Sequence, residues 1–304
     1  MTGHARTAPE ANALPGPLVG VAWLAERLAR PGIVVLDASV GAHRAAGRCV
    51  PGALRFDIDG AMSDHAVPLP HTMPGVGQFT AGMRALGVDD GDTVVVYDTA
   101  GIYSAARAWW MLRAMGFDRV AVLDGGLPAW EAAGLPVEDR EPGTASPGAA
   151  KPGLAEQAGD FTARPRPGML VGADVVAEAL GDARSAVLDA RSRERYAGSA
   201  QEPRPGLRGG HMPGSVNLPF GEIQRDGLML PAGELRAAFT ASAGNRERLV
   251  VSCGSGVTAC VLALGAELAG YRDVSVYDGS WGEWGLPSDR PVVTGPNPAG
   301  DDGA

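Results

Sequence analysis

Cys253 lies in the stretch LVVSCGSGVTACVLALGAELAG, residues 249–270. The pattern predicts a buried strand ending at Cys253, a short glycine-rich loop, and a helix starting near Val257. Gly254 and Gly256 allow tight turns and positive φ. Backbone N–H groups of such a loop can converge on the cysteine sulfur, and a helix N-terminus adds about half a positive charge. Both favour the thiolate, the reactive form of cysteine. The same amides make a cradle for an anionic group. The chemistry on offer is nucleophilic attack by sulfur, with an anion held beside it. Cys260, inside the following helix, is expected to be core, because a free cysteine packs as a small hydrophobe. Cys49 falls at a turn and is assigned no chemistry.

The rest of the chain must position that loop. Its 304 residues leave room for two domains at roughly 100–200 residues each. Hydrophobic residues are 45% and charged residues 20%, as in a folded globular protein. A net charge of −9 argues against a nucleic-acid partner or an anionic membrane surface. No run approaches the ~18 apolar residues of a membrane span, and the opening MTGHARTAPEANALPGPL has no apolar core of the signal-peptide kind. Three cysteines, Cys49, Cys253 and Cys260, make neither a disulfide framework nor a zinc-site spacing. A reducing, cytoplasmic setting is expected, with no metal.

The chain repeats itself. IVVLDAS (33–39) returns as SAVLDAR (185–191), and CVPGAL (49–54) as HMPGSV (211–216). TVVVYD (93–98) returns as RLVVSC (248–253), and VAVLDGGLPAW (120–130) as VSVYDGSWGEW (274–284). Asp37/Asp189, Pro51/Pro213, Asp98/Cys253 and Asp124/Asp278 pair at offsets of 152, 162, 155 and 154. One order at nearly one offset means a duplicated domain, with an insertion in the second copy between Asp189 and Pro213. Each copy alternates β-branched apolar runs with helical patterns. That implies α/β architecture, a parallel sheet covered on both faces, with ligands at the carboxyl ends of its strands. The expected organisation is a first copy over 14–138, a linker over 139–160, a second copy over 161–293, and a disordered tail over 294–304.

HMPG (211–214), CGSGVTA (253–259) and YDGSWGEW (277–284), in this order, resemble the two-domain rhodanese-like sulfurtransferases. The likeness runs from about residue 18 to 293. It implies two tandem rhodanese-like domains, each a mostly parallel sheet with helices on both faces. Thiosulfate sulfurtransferases of this family carry basic residues straight after the cysteine. Gly254-Ser255-Gly256 is similar instead to the 3-mercaptopyruvate sulfurtransferase branch. The first copy has Asp98 in place of Cys253, and a carboxylate cannot take up sulfane sulfur, so the resemblance makes it the inactive copy.

The resemblance implies sulfur transfer from 3-mercaptopyruvate through a Cys253 persulfide, with pyruvate released and no organic cofactor or metal. The acceptor would be a thiol, such as thioredoxin or a small thiol, or cyanide. The loop residues Gly254, Gly256, Val257 and Thr258 would hold the transferred group, with Thr258 capping the helix or bonding the loop. Arg195 and Arg204, in the insertion, would take the substrate carboxylate, which suits the guanidinium fork. Arg191, Arg193 and Arg208 are weaker candidates. Ser255 would help protonate the leaving enolate, backed by Asp59 and His71 of the first copy. One extra residue between Asp59 and His71 relative to the family spacing keeps His65 open as an alternative. Trp281 and Trp284 are expected to pack, as are Trp109 and Trp110, one of which could face solvent.

Three other readings compete. Thiosulfate could be the donor, although an uncharged loop suits its dianion poorly. A phosphatase of this fold would need arginine at position 259 to stabilise the transferring phosphoryl group, and Ala259 stands there. A non-catalytic binding module would have no use for the intact Cys253 loop.

Overall fold

The computed structural model describes residues 12–140 and 158–296. Most of the expected linker (141–157) and the end of the expected tail (from 297) lie outside the described residues.

Each copy builds a five-stranded sheet. The first contains β1 (Leu18–Val19), β2 (Ile33–Asp37), β3 (Leu54–Arg55), β4 (Thr93–Tyr97) and β5 (Val120–Leu123), in the order β1-β5-β4-β2-β3. The second contains β6 (Leu170–Val171), β7 (Ser185–Asp189), β8 (Val216–Asn217), β9 (Arg248–Ser252) and β10 (Asp273–Tyr277), in the order β8-β7-β9-β10-β6. Every pairing in both sheets is parallel. β2, β4 and β7 are buried along their whole length, which is why they read as unbroken apolar runs rather than alternating ones. Two short antiparallel ladders lie outside the sheets, Arg48–Cys49 with Glu138–Asp139 and Gln224–Arg225 with Leu228–Met229.

The central strands matter most for the site. β4 ends at Tyr97, one residue before Asp98, and β9 ends at Ser252, one residue before Cys253. Each is followed by a loop and then a helix, α1 (Ala105–Ala114) or α2 (Ala259–Leu268). α1 and α2 pack against each other, so each is covered by its own sheet on one side and by the other copy on the other. Burial on all sides explains why α2 is apolar around its circumference, with Ala259 through Ala266 all buried. Arg113 of α1 pairs with Glu267 of α2 across this contact. The interior on this side is one continuous apolar cluster drawing on both sheets. The two outer sheet faces have separate, smaller clusters, around Trp130 and around Trp284.

The first copy extends past the undescribed segment. Phe161 packs between Phe79 and Phe117, at ring distances of 5.8 and 5.6 Å. The amides of Arg164 and Arg166 donate to the carbonyls of Met115 and Ala114. Trp109 and Trp110 are both buried, so neither faces solvent. Their helix lies between the two copies, and that contact cannot be read from one copy's pattern.

Candidate active site

The Cys253 loop runs from the end of β9 to Ala259, where α2 begins, slightly later than the sequence pattern suggested. Its shape is held from outside by Ser280. The Ser280 hydroxyl accepts the amides of Cys253 (3.2 Å) and Gly256 (3.0 Å) and donates to the Tyr277 carbonyl (2.7 Å). The amides of Trp281 and Gly282 donate to the carbonyls of Cys253 and Gly254, both at 2.9 Å. Gly256 has φ +74°, and a β-carbon there would come within 2.9 Å of the Asp278 carbonyl. Only glycine fits that position. Val257 and Thr258 complete the loop and are largely buried. The Thr258 hydroxyl makes no capping bond to the α2 N-terminus, because the residue already has helical backbone angles instead of the extended ones a capping residue uses.

The first copy shows what this kind of loop holds. The Asp98 carboxylate turns back into its own loop and accepts the amides of Ala100 (2.9 Å), Tyr103, Ser104 and Ala105 (2.8 Å each). Strand, loop and helix of the first copy therefore surround a fixed anion. The second copy has Cys253 at the matching place.

The loop is covered by the first copy. His71 Nδ1 lies 2.9 Å from Ser255 Oγ, and His71 Nε2 lies 3.0 Å from Asp59 Oδ1. Asp59, His71 and Ser255 thus form one hydrogen-bonded chain across the two copies. Burial pushes the Asp59 pKa up, but the His71 bond, the Gly41 amide and the charge of Arg44 outweigh it, so its carboxyl sits below the ordinary range. The Asp57 carboxylate is taken by Arg44 at 2.9 Å. His65 is exposed and bonds the Gly60 carbonyl, whereas His71 is the histidine that reaches Ser255.

The arginines separate by what they touch. A β-carbon on Gly254 would lie 3.0 Å from Arg195 Nη2, which puts that guanidinium against the loop. Arg204 Nη1 lies 3.5 Å from the Gly254 carbonyl oxygen. Burial lowers the Arg204 pKa, opposed by Cys253 and reinforced by the like charge of Arg195. The other three arginines point elsewhere. Arg191 is fully buried, forked onto Asp189, paired with Glu202, and stacked 4.2 Å over the Trp281 ring. Arg193 pairs with Glu222 at the surface. Arg208 ties down carbonyls of the chain from Trp284 to Arg290.

Three contributors escaped the sequence reading. Glu202 is almost fully buried and accepts from both Arg195 (2.6 Å) and Arg191 (2.9 Å), so it orients Arg195. Ser280 has φ +50° at the start of a short helix, and its role appears only with the loop folded against it. Tyr103, on the Asp98 loop, packs edge-on against Phe220 at 5.6 Å. Burial raises its pKa, and Cys253 raises it further, while Arg195 and Arg204 lower it. The phenol therefore shares its surroundings with all three.

The Rhodanese-like domain model matches the chain twice, over residues 20–133 and 172–286. The chain belongs to the rhodanese-like family. It is 39% identical over 285 residues to a 3-mercaptopyruvate sulfurtransferase of Escherichia coli K12, covering 90% of this chain and 96% of that protein. It is 40% identical over 300 residues to thiosulfate/3-mercaptopyruvate sulfurtransferase 1, mitochondrial, of Arabidopsis thaliana, covering 91% and 78%. The crystal structure of SseA from Escherichia coli, described as having the rhodanese fold, superposes with a TM-score of 0.74 at 35% identity, covering 87% and 98%. As a rhodanese-like protein the chain has two such domains, and the α/β fold expected of it is the one observed. No helix among the described residues is long and apolar enough to cross a membrane.

Proposed function

We propose that this rhodanese-like protein is a sulfurtransferase that takes sulfur from 3-mercaptopyruvate. The Cys253 thiolate attacks the substrate sulfur, and an S–S bond forms. The bond from that sulfur to carbon 3 breaks, and its electron pair leaves with carbon as the enolate of pyruvate. The hydrogen on the transferred sulfur stays with it, as Cys253 persulfide. The enolate takes a proton from the Ser255 hydroxyl, which His71 replenishes while Asp59 holds the imidazole in place. In the second half-reaction an acceptor thiolate attacks the outer sulfur, the S–S bond breaks, and Cys253 returns as thiolate. The acceptor is a small thiol, a protein dithiol such as thioredoxin, or cyanide.

The observation that carries this reading is the Asp59–His71–Ser255 chain ending on the loop of Cys253. A donor that departs as a carbanion equivalent needs a proton delivered, and thiosulfate does not, because it leaves as sulfite. Arg195 and Arg204 beside Gly254 supply a place for the substrate carboxylate. The first copy, with Asp98 bound into its own loop, serves as the inactive copy that completes the site. The low cysteine count favours a cytoplasmic location.

Thiosulfate is the second reading, favoured by the double name of the Arabidopsis relative. The deciding experiment measures kcat/KM for both donors with one thiol acceptor, and includes Cys253→Ser. A large preference for 3-mercaptopyruvate, abolished in Cys253→Ser, is expected. A preference for thiosulfate would overturn the assignment.

A further inference from the structure

Two residues outside the Asp59–His71–Ser255 chain grip the backbone around His71. Arg107 on α1 is completely buried. Its Nη2 donates to the His71 carbonyl (2.7 Å) and to Asp278 Oδ1 (2.6 Å). Asp278 comes from the other copy, just after β10, and its Oδ2 accepts the Met73 amide at 2.9 Å. The backbone is therefore gripped on both sides of Thr72. His71 itself has φ +59°, a region that disfavours any residue with a β-carbon. Such a conformation persists only where its surroundings impose it.

The duplication supplies an internal comparison. Asp124, the counterpart of Asp278, reaches across the same interface in the opposite sense, and its Oδ1 accepts the Met229 amide at 3.0 Å. Two residues before Met229 is Gly227, with φ +80°, as His71 stands two before Met73. Gly227 covers the inactive loop: a β-carbon on Gly101 would lie 3.4 Å from its carbonyl. The half over the inactive loop thus has glycine where the half over Cys253 has histidine. It also has Leu262 on α2 where α1 has Arg107. The aspartate tie is common to both halves, whereas the histidine and the buried arginine occur together in only one.

The guanidinium is poorly explained as interdomain glue. Among the described residues its Nε and Nη1 make no hydrogen bond to oxygen, the Cys260 thiol of α2 is its other polar neighbour, and burying a charge that is only partly paired is costly. Nη1 lies 3.2 Å from where a β-carbon on Gly256 would sit. One rigid group therefore sets the spacing between the His71 turn and the Cys253 loop.

We propose that Arg107 and Asp278 are positioning residues that hold His71 in its left-handed turn so that its imidazole stays on Ser255. The proposal rests on the reading of His71 as a proton relay.

The test compares Asp278→Asn, Asp124→Asn and His71→Gln in the full chain, reading single-turnover pyruvate release from saturating 3-mercaptopyruvate. Misplacing a catalytic group by about 1 Å costs about 100-fold. Asp278→Asn is expected to slow release about 10- to 100-fold with little change in KM. It should also move the His71 ring nitrogen resonances toward those of a free imidazole. Asp124→Asn is expected to lower the thermal midpoint comparably while release and the His71 resonances stay at the wild-type values. Arg107→Lys, which keeps the buried charge, gives the same readout if Asp278→Asn folds poorly, and it too is expected to slow release. Equal slowing in Asp278→Asn and Asp124→Asn would reduce the tie to general glue and overturn the proposal. So would wild-type release in Asp278→Asn beside slow release in His71→Gln. Wild-type release in His71→Gln would remove the relay itself, and the positioning role with it.

Discussion

Asp98 and Cys253 occupy matching places at the ends of the two central strands, and the Asp98 carboxylate is already bound by four amides of its own loop. The Asp98 loop of the first copy is a cradle of amides filled by its own side chain. The second copy presents the Cys253 sulfur at that place. Two consequences follow for substitutions. Asp98→Ala leaves four loop amides, two of them buried, without their acceptor and should cost about 3 kcal/mol of stability, read by urea unfolding. Cys253→Asp should fold with a thermal midpoint no lower than the wild type and transfer no sulfur. A destabilised Cys253→Asp would mean that the two loops are not equivalent cradles.

Arg195 and Arg204 are expected to act on substrate binding more than on the chemical step. Lysine cannot reproduce the guanidinium fork. Arg204→Lys should therefore raise KM for 3-mercaptopyruvate about tenfold or more, the value of a hydrogen bond to a charged group, with a smaller change in kcat. Glu202→Gln is expected to behave differently. It leaves the buried Arg191 with one carboxylate instead of two, so it should lower the unfolding midpoint as well as weaken binding. Steady-state kinetics beside thermal unfolding separates the two effects.

Acid should destabilise the fold in two windows. His211 stacks on Tyr196 at 3.7 Å. Burial lowers its pKa, against the Tyr196 carbonyl and the charge of Asp189, which raise it. With a native pKa below the unfolded value of about 6.5, its neutral form contributes stability that is complete above that pH and is lost as pH falls through the native pKa. Asp59 is also depressed. Its contribution is complete above about pH 4 and is lost as pH falls through its lower native value. Urea midpoints should therefore decline below about pH 6.5, and His211→Gln should flatten that first decline. Asp59 stays ionised throughout the neutral range, so Asp59→Asn should slow pyruvate release about 100-fold at every pH from 6 to 9. A rate that matches the wild type would remove Asp59 from the mechanism.

Thiol reactivity should single out Cys253. All three cysteines are nearly inaccessible, at 4%, 2% and 0% exposure for Cys49, Cys253 and Cys260, so exposure does not rank them. Charge state does. Burial pushes the Cys260 thiol up to about 12 and raises Cys49 as well. The Cys253 loop has Arg195 and Arg204 beside Gly254. Iodoacetamide at neutral pH should modify Cys253 alone in the native protein, with 3-mercaptopyruvate protecting it, and all three cysteines after denaturation.

Much of this was readable from the chain because the duplication made each copy a check on the other. The runs ending at Asp98 and Cys253 announced equivalent central strands, and the glycines after Cys253 announced the loop. Arg195 and Arg204 followed from the family resemblance, and the structure sets both against Gly254. His71 could not be separated from His65 by sequence, because which of them meets Ser255 depends on how their loop lies against the other copy. Glu202 and Ser280 were missed for a related reason. An acid paired with two arginines reads as a surface charge until its side chain is seen to be covered between them. A serine in a turn reads as a turn residue until the loop it supports is packed on it. Arg107 and Asp278 lie far apart in sequence and meet only across the interface.

The central claim is that Cys253 takes sulfur from 3-mercaptopyruvate. Intact-protein mass spectrometry after one equivalent of donor, with no acceptor present, tests it most directly. The account predicts a gain of one sulfur atom, mapped to the Cys253 peptide, removed by a small thiol, and absent in Cys253→Ser. An unchanged mass with pyruvate released, or sulfur found on Cys49 or Cys260 instead, would contradict it.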